Sequence, residues 1–215
     1  MGEFSDGDQL VRDLLAQGSE HDVDYKAGIE APTDGRAKAK LAKIVIAFSN
    51  RKDGGYLLIG VEDSTLRPIG LTLQQVKSWD GARVTAALAS YAAPQPVIKV
   101  TRGALPDGKV LVALHVAPFE EQPLVCVKTV DDDDRRKPPI LRKGALYIRS
   151  EGTECKEVST EAEMRELLAR AYVKKADRLL MEIKALIDAH WPGAASPTGT
   201  LLSVIEQDLD GMGWP

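Results

Sequence analysis

No stretch of the 215 residues approaches the roughly 18 consecutive apolar positions that a membrane span requires. There is also no apolar core of a secretory leader, so the expectation is a cytoplasmic protein with no membrane partner. Cysteine is nearly absent. Cys126 and Cys155 are too few for a disulfide framework, and neither is spaced with the three histidines as a zinc site would need. Aromatics make up only 5%, so the core must be built mainly from Leu, Ile, Val and Ala. Excess positive charge is missing too. The formal net charge is -4, so any surface for a polyanion must be local. Neither a GxxxxGK[ST] loop nor a GxGxxG turn after a strand is present, which leaves nucleotide binding of the Walker type without residues to carry it.

What is there is an ordinary globular chain, 44% hydrophobic and 28% charged, long enough to bury a core without staples. Asp8–Ala16 reads as a short amphipathic helix with Gly18 as its stop. "HDVDYKAG" (His21–Gly28) alternates Val23, Tyr25 and Ala27 with polar residues, the period of a half-exposed strand. Arg36–Ser49 is the clearest helix. Its apolar face carries Ala37, Leu41, Ile44, Val45 and Phe48, with Arg36, Lys40 and Lys43 grouped on the opposite side. Gly55–Val61 reads as one buried strand and Leu73–Ala92 as one helix. Val97–Pro118 is a hairpin turning at Pro106-Asp107-Gly108, followed by strand candidates at Leu124–Val130 and Ala145–Gly152.

Thr160 with Glu163 forms a capping box that opens a long helix to about Ala189. The stretch after His190 reads as a linker, with Leu201–Leu209 as a last short helix or a segment that orders against a partner. The expected division is 5–158 for the main domain, 159–190 for the helix and 191–215 for linker and tail. Hairpins beside long helices point to an α+β class, a mixed α/β sheet with flanking helices.

Several groups could carry chemistry. The Gly54-Gly55 pair suits a helix end, where Gly takes φ > 0 freely, and also suits close backbone approach to a ligand. Glu20, Asp22 and Asp24 flank the first strand, and Glu62 and Asp63 end the glycine-bounded one. Carboxylates at adjacent strand ends can converge on Mg²⁺ or Mn²⁺, although acids flanking strands are also ordinary solvated edge charges. Arg36, Lys40, Lys43, Arg142, Lys143 and Arg149 are candidate phosphate contacts or plain solvated faces. The run Asp131–Asp134 reads as a surface loop neutralised by its neighbours Arg135, Arg136 and Lys137. Cys126 and His115 sit in strand patterns and read as structural.

"DVDYKAG", "LAKIVIAFSNRKDGGYLLIGVED", "PIG", a hairpin and then "ALYIRSEG" with a following helix resemble, in that order, the Schlafen AlbA-type domain. The resemblance covers roughly residues 8–172. It implies a nucleic-acid-binding domain of bacterial regulation or defence, for RNA or DNA. Some members are metal-dependent endoribonucleases using three carboxylates. Carried over, the implied catalytic and metal-holding set is Glu20, Asp24 and Glu62 or Asp63, with Mg²⁺ or Mn²⁺. The sequence departs from the family pattern at Ser19, which stands where the first acid is expected, with Glu20 one place late. Asp24 is one methylene shorter than the usual Glu. The resemblance adds Asn50, Gly54, Gly55, Tyr147 and Arg149 to the expected nucleic-acid contacts, beside Lys26 and the basic stripe of Arg36, Lys40 and Lys43. The alternative is a non-catalytic scaffold or homo-oligomer acting through residues 160–209 on a protein partner.

Overall fold

The computed structural model describes residues 5–17, 22–134, 136–150 and 154–190. The expectations that fall on Gly18, Ser19, Glu20, His21, Arg135, Gly152 and the tail 191–215 lie outside the described residues. The chain divides into two compact units, Met1–Ala171 and Tyr172–Pro215.

In the first unit, helix α1 (Asp6–Gln17) precedes strand β1 (Val23–Lys26), and helix α2 (Gly35–Ser49) leads to strand β2 (Gly55–Ile59). β1 and β2 run parallel, with Asp24 opposite Leu57 and Lys26 opposite Ile59. The hairpin β6 (Ile98–Ala104) and β7 (Val110–Val116) completes a mixed four-stranded sheet in the order β1-β2-β7-β6, with both later pairings antiparallel. This is the expected α+β architecture with flanking helices.

Alternation sorts the sheet's side chains between two cores. Val23, Tyr25, Leu58, Leu111 and Ala113 meet Val11 and Leu14 of α1, and the Tyr25 hydroxyl donates to the Leu14 carbonyl at 2.9 Å. Leu57, Ile59, Val112, Leu114 and Val116 meet Ala42, Val45, Ile46 and Phe48 of α2 on the other face. Asp34 caps α2 by accepting the Ala37 N–H at 2.8 Å. Asp24 and Lys26 therefore share the α2 face of the sheet.

Two elements differ from the sequence reading. The run Gly55–Val61 is not one strand: Gly60, at φ 101°, breaks it before β3 (Val61–Glu62). The Gly60 carbonyl then accepts from Ile69 and Gly70, which folds β4 (Arg67–Pro68) back onto β3. The span Leu73–Ala92 is two helices, α3 (Leu73–Ser78) and α4 (Gly81–Leu88), followed by β5 (Ala92–Ala93). Trp79 interrupts it because its indole is buried and donates to the Ile29 carbonyl at 2.9 Å. Asp80 then caps α4 through the Arg83 N–H.

Beyond the hairpin, β8 (Val125–Cys126) pairs with β5, and β9 (Tyr147–Arg149) pairs with β10 (Cys155–Glu157), a strand the sequence did not suggest. Helix α5 (Glu161–His190) starts at the expected capping box. The Glu163 N–H donates to Thr160 Oγ1 while Glu163 Oε2 accepts from the Ser159 and Thr160 N–H groups. Leu167 of its first turns is buried in the α2-side core. Among the described residues no helix is long and apolar enough to cross a membrane.

Candidate nucleic-acid interface

The C-terminal end of α2 is where the sequence motifs concentrate, and the fold turns them inward. Asn50 is fully buried. Its amide donates to the Leu124 and Tyr147 carbonyls, both at 3.0 Å, and its Oδ1 accepts the Leu124 N–H at 2.7 Å. Arg170 of α5 donates to the Asn50 carbonyl at 2.8 Å. Three segments distant in sequence are thus tied to one residue, two through its side chain and one through its carbonyl. Gly54 sits at φ 73°, and a Cβ on Gly55 would lie 2.0 Å from the Phe48 ring. Tyr147 is buried, with its hydroxyl accepting the Arg142 N–H.

Arg149 is also enclosed, its side chain only 2% exposed. The guanidinium lies 4.6 Å from the Phe48 ring centroid, 4.0 Å from an Asp24 oxygen and 4.0 Å from the Cys155 sulfur. Its Nε and Nη2 have no hydrogen-bond partner among the described residues. In this fold Asn50, Gly54, Gly55, Tyr147 and the Arg149 side chain are all enclosed.

The expected carboxylates are dispersed among other partners. Asp24 pairs with Lys26 at 3.2 Å and faces Arg149. Glu62 accepts from the Thr65 hydroxyl at 2.5 Å and stands opposite Arg67 across the β3–β4 ribbon. Asp63 is exposed on that ribbon. Among the described residues no three His, Cys, Asp or Glu side chains are grouped to hold a metal ion. Glu20 lies outside the described residues. The described acids therefore do not by themselves fit a Mg²⁺ or Mn²⁺ site. Burial pushes the thiols of Cys126 and Cys155 above their ordinary value, so both stay protonated at neutral pH.

The N-terminal half of α2 is open. Lys40 and Lys43, one turn apart, meet Lys137 of a distant loop around a cavity of about 310 Å³, with Asp132, Pro138, Pro139 and Ile140 completing its wall. Lys43 Nζ also lies 5.2 Å from the Tyr147 ring centroid, which fixes the ammonium without neutralising it. Lys40 and Lys137 make no ion pair among the described residues. Arg36, further along the same stripe, is paired with Asp132 and Asp133. Arg142 pairs with Glu157, while Lys143 is exposed on the turn before β9. Sequence reasoning found the α2 lysines but not Lys137. It sits inside a mixed-charge run whose place in space only the tertiary fold decides.

Known proteins place the chain in a family. The model described as "Schlafen, AlbA_2" matches residues 20–159. No curated protein sequence matches. Among solved structures, the DIP2311 protein from Corynebacterium diphtheriae is 23% identical with a TM-score of 0.43, covering 69% of this chain and 25% of its own. The present chain thus spans about a quarter of that protein. The N-terminal domain of a putative ATP-dependent DNA helicase RecG-related protein from Nitrosomonas europaea is 23% identical with a TM-score of 0.35, covering 63% of this chain and 80% of its own. The family model spans well over half of the 215 residues, and the chain belongs to the Schlafen AlbA_2 family.

Proposed function

We propose that this domain binds nucleic acid, RNA or DNA, through its phosphate backbone. The observation that carries the reading is the convergence of Lys40, Lys43 and Lys137, from two segments far apart in sequence, on one open cavity. Three ammonium groups around a concave surface suit the regular negative charges of a nucleic-acid strand. With a net charge of -4 the chain repels polyanions overall, so this local face must supply the attraction. Membership of the Schlafen AlbA_2 family supports the same reading.

The test is binding of labelled transfer RNA and single-stranded DNA across a salt series, with Mn²⁺, with Mg²⁺ and with EDTA. Binding is expected to survive EDTA, because the lysine contacts need no metal. The Lys40→Gln, Lys43→Gln, Lys137→Gln triple variant should flatten the log–log salt slope by roughly 2 to 3. An unchanged slope would remove the face from the reading. The same incubations, read on a gel, test the finer possibility of metal-dependent RNA cleavage with Asp24, Glu62 and Asp63 as its carboxylates. Loss of cleavage in an Asp24→Ala, Glu62→Ala, Asp63→Ala variant would establish it.

One observation favours a second reading, a protein partner or a second copy. In the second unit, Tyr172, Val173, Leu179, Met181, Ile183 and Leu186 of α5 are exposed apolar side chains. Association through them should resist salt, unlike phosphate binding.

A further inference from the structure

The run Asp131–Asp134 does not simply neutralise its sequence neighbours. Arg36 Nη2 donates to Asp132 Oδ1 at 3.0 Å, and Nη1 of the same guanidinium pairs with Asp133. Asp132 also lines the lysine cavity beside Lys40, Lys43 and Lys137. Its carboxyl is held below the usual range, chiefly by the Asp134 N–H it accepts, then by Arg36, Lys137 and Lys40.

The loop is built to stand there. Val130 and Leu141 exchange backbone hydrogen bonds at 2.9 and 3.2 Å, and Ile140 and Leu141 are buried in the core. Within the loop Asp134 accepts the Arg136 N–H on Oδ1 at 3.1 Å, and its carbonyl accepts the Lys137 N–H at 2.8 Å. Pro138 and Pro139 stiffen the return to the core.

We propose that this acidic loop is an internal competitor for phosphate. It holds Arg36 and shadows the lysine cavity until a ligand with several phosphates displaces it. The inference rests on the reading that this face takes backbone phosphates. A guanidinium offers a carboxylate and a phosphate the same fork of donors, so one occupant excludes the other. A single phosphate gains too few contacts to displace two carboxylates. A strand that reaches the cavity and Arg36 together gains several at once. The loop thus favours extended nucleic-acid strands over free phosphate and mononucleotides.

The experiment compares the wild-type chain with Asp132→Asn, Asp133→Asn. Asn keeps an oxygen to accept the Asp134 N–H while removing the charge. Binding of a labelled single-stranded RNA is followed over a salt series, with inorganic phosphate as competitor. The double variant should bind about fivefold tighter. Its log–log salt slope should steepen by about 0.7 to 0.9 as Arg36 is freed for a phosphate. Inorganic phosphate should compete better against the variant than against wild type. Asp133→Asn alone, whose carboxylate is 77% exposed, keeps the test intact if the double variant unfolds, and should move in the same direction. Asp13→Asn with Glu120→Gln removes two exposed acids elsewhere and should change binding far less. Equal gains in that control, or no gain in the loop variants, would overturn the proposal. If the Lys40, Lys43, Lys137 variant loses binding while the loop variants match wild type, the face stands and the competitor falls. If the lysine variant also matches wild type, the reading of the face itself fails.

Discussion

The two halves of α2 are made of the same helix and do opposite work. At and just beyond its C-terminal end Phe48, Asn50, Gly54 and Gly55 are enclosed, and Asn50 is fixed by Leu124, by Tyr147 of β9 and by Arg170 of α5. From its N-terminus to just past its middle Arg36, Lys40 and Lys43 face outward toward a loop that brings both Lys137 and Asp132. The enclosed half tolerates few residue types because each atom has a neighbour. The open half needs only positive charge at helical spacing, which many surface helices also have. The recognisable motif and the proposed ligand-facing surface are therefore different parts of one element.

That contrast predicts a wide separation between stability and binding. The largest effect should come from Asn50→Ala. It strands the Leu124 N–H, the Leu124 carbonyl and the Tyr147 carbonyl in the core, at about 1–3 kcal/mol for each group that finds no water. A total loss of roughly 4 kcal/mol corresponds to a melting point lower by about 8–16 °C in a domain of this size. Calorimetry that found Asn50→Ala as stable as wild type would break the comparison.

Gly55→Ala should come next. The new methyl overlaps the buried Phe48 ring, an overpacking cost of about 1–3 kcal/mol. Phe48→Leu in the same chain should recover part of it, and no recovery would mean the cost lies elsewhere. On the open half, Lys40→Gln, Lys43→Gln should leave stability within about 0.5 kcal/mol. Its salt slope for RNA should fall by roughly 1.5 to 2. A melting point that fell as far as for Asn50→Ala would show that the two halves are not separate in function.

The smallest effect sharpens the boundary of the rigid part. A hydrogen bond from Lys156, with the Ser159 and Thr160 N–H groups, holds the Glu163 carboxyl at about 2 against an ordinary 4.5. A carboxylate depressed on folding stabilises the fold above its unfolded value. That contribution is lost as pH falls from about 4.5 through about 2. Glu163→Gln should flatten the acid limb of the stability curve in this window while leaving it unchanged near neutrality apart from a constant offset.

Most of the fold was legible because patterns of burial write themselves into residue spacing. α1, α2, the β6–β7 hairpin and the opening of α5 each sit within a residue or two of the reading. Where it failed, a tertiary contact overrode local pattern. Trp79 and Gly60 interrupt otherwise continuous runs because an indole reaches the Ile29 carbonyl and a carbonyl turns to receive Ile69 and Gly70. The Asp80-Gly81 pair was a usable signal for a new cap and went unread. The candidate site was legible only in part. Charge at helical spacing located Lys40 and Lys43, but no pattern says which helix a mixed-charge loop will lean on, so neither Lys137 nor the Asp132–Arg36 pair could be placed. Nor does a motif say which of its residues face out.

The link from Arg170 to the Asn50 carbonyl bears on how this module can be moved between proteins. The matched family region stops at residue 159, yet Leu167 fills the core and Arg170 ties down the end of α2. A fusion or a protease cut at 159 would carry away part of the domain's own interior. The transplantable piece runs on to about Ala171, where the first compact unit ends. A second protein could therefore be joined after that point without opening the core.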